Sequence, residues 1–359
     1  MKLSYALIAA IVVVAFLISV PLLNTTKEDF STYNTAWNGA SDAKALASSD
    51  GYTTRSVFAL SEIGSGDGVL FMLNPNSSVS FSASDASTLQ SFVKNGGVLV
   101  LANDFGNGNA VLSGLGVSAA RFNGSLLEDN VSKGVDAAHP LITDVNASGI
   151  TAGVHELYFN YGTALDVSGT NVTVLARSAP TSYLSTSASA NLSATTGAHP
   201  VLATFTYGDG RIVLLSDPSV FINDMLGQAD NQQLLTSMLA NVTGGNTAVP
   251  IMFDESHRAS APVWSLLYDR INADDTVKYT VIVLVSAAFV IGINATALVR
   301  RQRQGQGKDM APAPGDVPTN EAAVIADIVR AHPGWRRARV KGFLKQLQQR
   351  RGIRRDNRK

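Results

Sequence analysis

Residues 68–106 read GVLFMLNPNSSVSFSASDASTLQSFVKNGGVLVLANDFG, and this stretch decides the fold class. Residues 68–73 form a continuous apolar run closed by Asn74-Pro75-Asn76, the pattern of a strand buried on both faces. Ser82 opens a helix, with Ser84 or Asp85 as its cap, Leu89, Phe92 and Val93 as its apolar stripe, and Gly96-Gly97 as its stop. Residues 98–102, VLVLA, are a second buried strand that closes on Asn103-Asp104-Phe105-Gly106. Strand, helix and strand in one short stretch make a right-handed βαβ unit. The expected class is therefore α/β, a layered sheet with helices on both faces.

Working outward, residues 29–47 read as a helix with Phe30, Tyr33, Trp37, Ala40 and Ala43 on one face, and residues 55–61 as a strand. A short helix is expected around residues 109–115. Residues 138–180 are irregular, with strands near 155–158 and 172–177, and the Ser/Thr/Ala-rich residues 180–198 read as a long loop. Residues 201–207 and 211–216 flank Gly208-Asp209-Gly210, a hairpin turn. A helix over 221–240 and a last strand, VPIMF at 249–253, complete the domain.

Ligands of open α/β sheets bind beyond the carboxyl ends of the strands. Four expected strands end in polar residues: Asn74; Asn103 with Asp104; Asp217; and Asp254 with Glu255 and His257. Converging ends would make an acidic cleft suited to a metal, a sugar or acid/base chemistry. The competing reading is strand-exit and capping chemistry, which favours the same residue types. His139, His155, His199 and His257 show no metal-ligand spacing, and no metal site or cofactor is assigned. Phosphate-binding glycine motifs and a Gly-x-Ser-x-Gly elbow are missing at the strand exits. With no cysteine in the chain, disulfides, thiolate metal sites and thiol nucleophiles are excluded.

The formal net charge is zero, but it is a cancellation: residues 1–299 carry 12 basic and 23 acidic side chains, and residues 300–359 carry 16 and 5. Residues 4–23 and 279–299 are uncharged apolar runs of about the length that crosses a bilayer, roughly 20 residues. The first is longer than a secretory signal core and is read as an uncleaved anchor. Arg300, Arg301 and Arg303 put the end of the second run inside the cell by the positive-inside rule. The sequence thus predicts a two-pass cell-membrane protein with both termini cytoplasmic: an anchor to residue 23, an extracellular domain over 24–277, a second span over 278–300, a linker over 301–318 and a basic helical tail over 319–359. Asn-x-Ser/Thr triplets at Asn24, Asn76, Asn123, Asn130, Asn146, Asn171, Asn191 and Asn241 are candidate glycan acceptors in such an exported domain. In the tail, a helix with Val324, Ile325, Ile328 and Val329 stops at His332-Pro333-Gly334, and a second carries Val340, Phe343, Leu344 and Leu347 beside Arg336, Arg337, Arg339, Lys341 and Lys345. Membrane lipid or a protein partner suits this basic tail better than nucleic acid.

LQSFVKNGGVLVLAND, YGDGRIVLLSDPSVFINDML, Asp230-Asn231 and VPIMFDESHR together resemble the DUF4350 membrane family. That family is similar to class I glutamine amidotransferases and to gliding-motility-type transport accessory proteins. The resemblance implies a flavodoxin-like core and no established activity. An amidotransferase needs a cysteine at a strand-to-helix elbow and a His-x-Glu after a later hairpin. Asn103-Asp104-Phe105 and Asp217-Pro218-Ser219 stand at those places, so glutamine hydrolysis is excluded. The expected role is a non-catalytic binding or scaffolding protein of the cell envelope, accessory to a transport or ATPase-linked assembly. The alternative is an envelope hydrolase, or a metal- or carbohydrate-binding domain, built on Asp217, Asp254, Glu255 and His257.

Overall fold

The computed structural model describes residues 26–185, 196–260 and 321–356, with isolated positions between 276 and 287. It falls into two compact units, residues 7–286 and residues 1–6 with 287–359. In chain order the larger unit holds α1 (Ser41–Ser49), β1 (Thr54–Val57), β2 (Val69–Leu73), α2 (Ala83–Lys94), β3 (Val98–Ala102), α3 (Gly108–Gly114), β4 (Ala120–Phe122), β5 (Leu126–Glu128), β6 (Leu141–Ile142) and β7 (Asp144–Val145). There follow β8 (Leu157–Tyr158), β9 (Leu165–Val167), β10 (Thr173–Arg177), β11 (Tyr183–Ser185), β12 (Pro200–Tyr207), β13 (Gly210–Leu215), α4 (Asn223–Leu226), α5 (Asn231–Val242) and β14 (Ile251–Asp254).

One eight-stranded sheet, ordered β1-β14-β2-β3-β13-β12-β10-β7, organises this unit. The first five strands are parallel, and β12, β10 and β7 extend them antiparallel. The turn at Gly208-Asp209 joins β12 to β13, with Tyr207 opposite Gly210. Side chains alternate across the sheet with a period of two. Val69, Phe71, Leu73, Val100, Val213 and Phe253 enter one core with α1 and α5. Leu70, Met72, Leu99, Leu101, Ile212 and Met252 enter the other with α2 and α3. Both faces are covered, which is why β2, β3 and β13 are apolar at consecutive positions.

The βαβ unit forms as its sequence requires. Ser82 is the N-cap of α2, in a reciprocal capping box with Asp85. Two expected helices change shape. Residues 26–40 are turns, because Phe30 has φ 60° and Ser31 and Thr32 are captured by Glu255. The helix expected over 221–240 breaks before Asn231, where Ala229 has φ 44° and Asp230 accepts the backbone N–H groups of His155 and Glu156. The strand expected over 55–61 ends at Val57 and gives way to a 3-10 turn at Leu60–Glu62. Within the expected 180–198 loop, β11 pairs with β5.

The membrane part of the expected fold class, and the localisation built on it, is corrected. Among the described residues no helix is long and apolar enough to cross a membrane. The runs at 4–23 and 279–299 lie outside the described residues, isolated positions apart. The longest described helix, α7 (Arg337–Asp356), has the length but is crossed by arginine and lysine throughout. The structure therefore shows a mixed α/β fold with a large sheet, and it does not carry the two-pass topology or the extracellular assignment.

In the smaller unit, α6 (Glu321–Ala331) packs on α7, burying Ile325 and Val340, while the His332 ring stacks on Trp335 at 4.7 Å.

Candidate functional site

The parallel strands place their carboxyl ends side by side, and this edge collects all seven residues read as ligand candidates. Asn74 follows β2; Asn103 and Asp104 follow β3; Asp217 lies two residues beyond β13; Asp254 ends β14, with Glu255 and His257 after it. They form three separate arrangements.

The first spans β2, β3 and β13. Asn74 hydrogen-bonds the Asp104 carboxylate. Asn103 accepts the Gly108 N–H at 3.0 Å and so fixes the start of α3. Asp217 is fully buried and accepts the N–H groups of Asn160 at 2.5 Å and Ser219 at 2.8 Å. Burial pushes its carboxyl up to about 7, against those two amides and with the Asp104 charge adding to the rise. Burial also raises Asp104.

The second is a knot around Glu255, 1% exposed. Its carboxylate accepts Ser31 Oγ at 2.8 Å, the Thr32 N–H at 2.7 Å and Thr32 Oγ1 at 2.8 Å, with Arg258 Nε 4.0 Å away. Burial raises this carboxyl, with the Arg258 charge and the Ser31 and Thr32 bonds opposing. Arg258 also donates from Nη1 to the Asn74 carbonyl at 3.3 Å.

The third is built on His257, 3% exposed. Asp254 Oδ2 holds its Nδ1 at 2.8 Å, and Ser256 Oγ lies 3.0 Å from the same nitrogen. Nε2 lies 3.8 Å from Asp85 Oδ2, beyond hydrogen-bond distance. Burial opposes the charged ring, but the Asp254 bond and the Asp254 and Asp85 charges outweigh it and raise the His257 pKa, with Arg258 opposing. His257 lines a cleft of about 300 Å³ between the ends of β1 and β14 and the first turns of α2, walled also by Phe58, Ser80, Ser84 and Thr88. A buried carboxylate that holds Nδ1 turns Nε2 toward whatever fills that space, the orienting half of an acid/base arrangement. No serine or threonine hydroxyl among the described residues hydrogen-bonds Nε2, so the nucleophile half is missing.

Among the described residues no group of three or more histidine, aspartate and glutamate side chains is placed to hold a metal. Buried side-chain atoms without a hydrogen-bond partner among those residues are Asn74 Oδ1, Ser216 Oγ and Arg258 Nε, and all three belong to this edge. Of the candidate glycan acceptors, Asn130, Asn146, Asn171 and Asn241 are exposed and Asn76 and Asn123 half-buried, while Asn24 and Asn191 lie outside the described residues.

The sequence reading missed Asp85 as a wall of the cleft, although Ser82-x-x-Asp85 is a legible capping signal. It also missed Arg258, Ser31, Thr32 and Asn160. Apart from the Arg258–Glu255 pair, three residues apart, those contacts join residues far apart in the chain and leave no local pattern.

The sequence profile of a family described as "Domain of unknown function (DUF4350)" matches residues 32–239. No curated protein matches the chain. Among solved structures, the chain is similar to the mmIFT52 N-terminal domain, at 16% identity and a TM-score of 0.39, over 49% of this chain and 76% of that one. It is also similar to a β-galactosidase from Bacillus circulans sp. alkalophilus, at 14% identity and a TM-score of 0.31, over 49% of this chain and 22% of that one. A putative ThuA-like protein from Parabacteroides merdae matches at 14% identity and a TM-score of 0.32, over 49% and 70%. At these scores the likeness carries no functional inference.

Proposed function

We propose that this chain, which belongs to the DUF4350 family, is a recognition protein that holds a small polar ligand in the cleft at the ends of β1 and β14 without turning it over. One observation carries the reading: the strand-end carboxylates a hydrolase would need are already spent. Asp217 holds Asn160 and Ser219, Glu255 holds Ser31 and Thr32, and Asp254 holds Ser256 and His257. Carboxylates held in place by backbone and hydroxyl donors serve as fixed struts. The resemblance to class I glutamine amidotransferases supports the same reading, since Asn103-Asp104-Phe105 and Asp217-Pro218-Ser219 replace the nucleophile and base of those enzymes.

The alternative, a hydrolase, rests on the Asp254–His257 pair. The test is turnover by the full chain with glutamine, p-nitrophenyl acetate and p-nitrophenyl glycosides. The expected rate equals that of the His257→Ala variant. Saturable hydrolysis that disappears in His257→Ala would overturn the recognition reading.

A further inference from the structure

We infer that the His257 cleft takes a neutral polyhydroxylated ligand of about one sugar ring, an assignment that rests on the recognition reading above. The volume is the first constraint: about 300 Å³ stands at the small end of ligand pockets. Charge is the second. Asp85 and Asp254 flank the His257 ring, and Arg258, the other cation beside it, is paired with Glu255 at 4.0 Å, so even with the imidazolium charged the site keeps a net negative charge and disfavours phosphate or carboxylate ligands. A cationic ligand would in turn meet the buried imidazolium at the floor.

Hydrogen-bonding capacity is the third constraint. Ser61, Ser80, Ser84 and Thr88 line the cleft with hydroxyls, which both donate and accept. Asp85 spends Oδ2 on Ser82, and Oδ1 makes no hydrogen bond among the described residues. His257 is 97% buried, and Nε2 has no hydrogen-bond partner among the described residues, so it offers a single directed N–H to the cleft. The Phe58 side supplies an apolar wall. One fixed donor, one fixed acceptor, several hydroxyls and an apolar wall match a ligand whose hydroxyls donate and accept in alternation around an apolar ring.

The groups facing His257 are Asp254 on its own segment, Asp85 on α2 and the Arg258 guanidinium. Because Asp254 holds Nδ1, loss of the ring proton comes from Nε2 and turns that atom from donor to acceptor. A ligand hydroxyl can donate to the neutral ring, but a charge-assisted hydrogen bond is replaced by a weaker neutral one, so affinity should fall as pH rises through the His257 pKa.

The experiment is calorimetric titration of the full chain with glucose, galactose, mannose and N-acetylglucosamine, beside inorganic phosphate and putrescine. The expected result is saturable binding of at least one sugar and none of phosphate or putrescine. Affinity should fall about tenfold in His257→Ala, the loss of one hydrogen bond to a charged donor. Ser84→Trp, an exposed first-turn substitution that fills the cleft, should abolish binding while leaving the melting temperature unchanged. Sugar binding unaffected by Ser84→Trp would overturn the site. Phosphate or putrescine binding lost in Ser84→Trp, without sugar binding, would overturn the ligand class and leave the recognition reading intact. Silence with every probe would overturn both.

Discussion

Replacing Glu255 with alanine should cost this domain about half of its stability. The carboxylate is 1% exposed and accepts three hydrogen bonds, from Ser31 Oγ, the Thr32 N–H and Thr32 Oγ1, at 2.7–2.8 Å. A hydrogen bond to a charged acceptor contributes about 1.5–3 kcal/mol when its buried donor is left without a substitute. The three are not additive, because Thr32 Oγ1 also contacts Ser56 Oγ at 2.9 Å and can turn to it. Removing the acid further leaves Arg258, 7% exposed, without its counter-charge, and an orphaned buried charge by itself costs on the order of 3–5 kcal/mol. A total of about 5 kcal/mol follows, against a typical 5–15 kcal/mol for a domain. Urea unfolding followed by tryptophan fluorescence measures it, with Trp37 in the tethered segment as a local reporter. Glu255→Gln keeps one acceptor for Thr32 and should lose roughly half as much. Limited proteolysis should cut between residues 26 and 40 in the alanine variant first. A loss below about 1 kcal/mol, or unchanged protection of that segment, would refute the claim that Glu255 fastens it to the sheet.

Two further outcomes test the packing and electrostatics around the same edge. Asp217 is held near 7 in the folded chain against an ordinary 3.8, so the folded state keeps a proton that the unfolded chain releases. Its contribution to stability is therefore present below pH 4 and is lost as pH rises toward 7, at up to about 1.4 kcal/mol per pH unit. Melting temperatures from pH 4 to 8 should fall with rising pH in the wild type and flatten in Asp217→Asn; parallel curves would sink the assignment. Gly210, at the hairpin leading into β13, has no room for a Cβ, which would press on the backbone carbonyl oxygens of Val93 and Gly97. Neither oxygen can swing away, so Gly210→Ala should destabilise by about 1–3 kcal/mol in the same unfolding assay, and a neutral effect would show that the contact relaxes.

The parallel core was legible because burial on both faces leaves a strand no room for polar residues. VLFML and VLVLA announce themselves, and the polar residues that end them mark the edge they share. Tertiary capture was not legible. Phe30, Tyr33, Trp37, Ala40 and Ala43 have helical spacing, yet Glu255, 224 residues from Ser31, binds Ser31 and Thr32 and turns that segment out of the helix. Asp230 and Asn231 sit inside an apolar helical pattern, but their side chains reach the backbone of residues 155–158 and break the helix between them. The Asp254–His257 pair lies three residues apart and was visible as a cluster. Its cleft was not, because the opposite wall comes from α2.

The distribution of cost over the sheet argues that the carboxyl edge does more than end strands. Capping and strand exit need only exposed Asp, Asn and Ser, which water satisfies cheaply. Here the equivalent groups are buried: Asn103, Asp217, Asp254, Glu255, His257 and Arg258 are each under 9% exposed. Asn74 and Tyr161, which flank Asp104 and Asp217 respectively, hold φ of 47° and 58°, conformations that cost a non-glycine residue about 1–3 kcal/mol each. Asn74 Oδ1, Ser216 Oγ and Arg258 Nε are buried without hydrogen-bond partners among the described residues, and an unmet buried polar atom carries a desolvation penalty on the order of 1–3 kcal/mol, offset at Arg258 by its ion pair with Glu255. A sequence that needed only a stable sheet could replace such groups with apolar or exposed ones and gain stability. Strain and buried polarity concentrated along one sheet edge, where local consistency fails at several residues together, are what a functional site leaves in a fold, and they are the ground for the recognition reading proposed above.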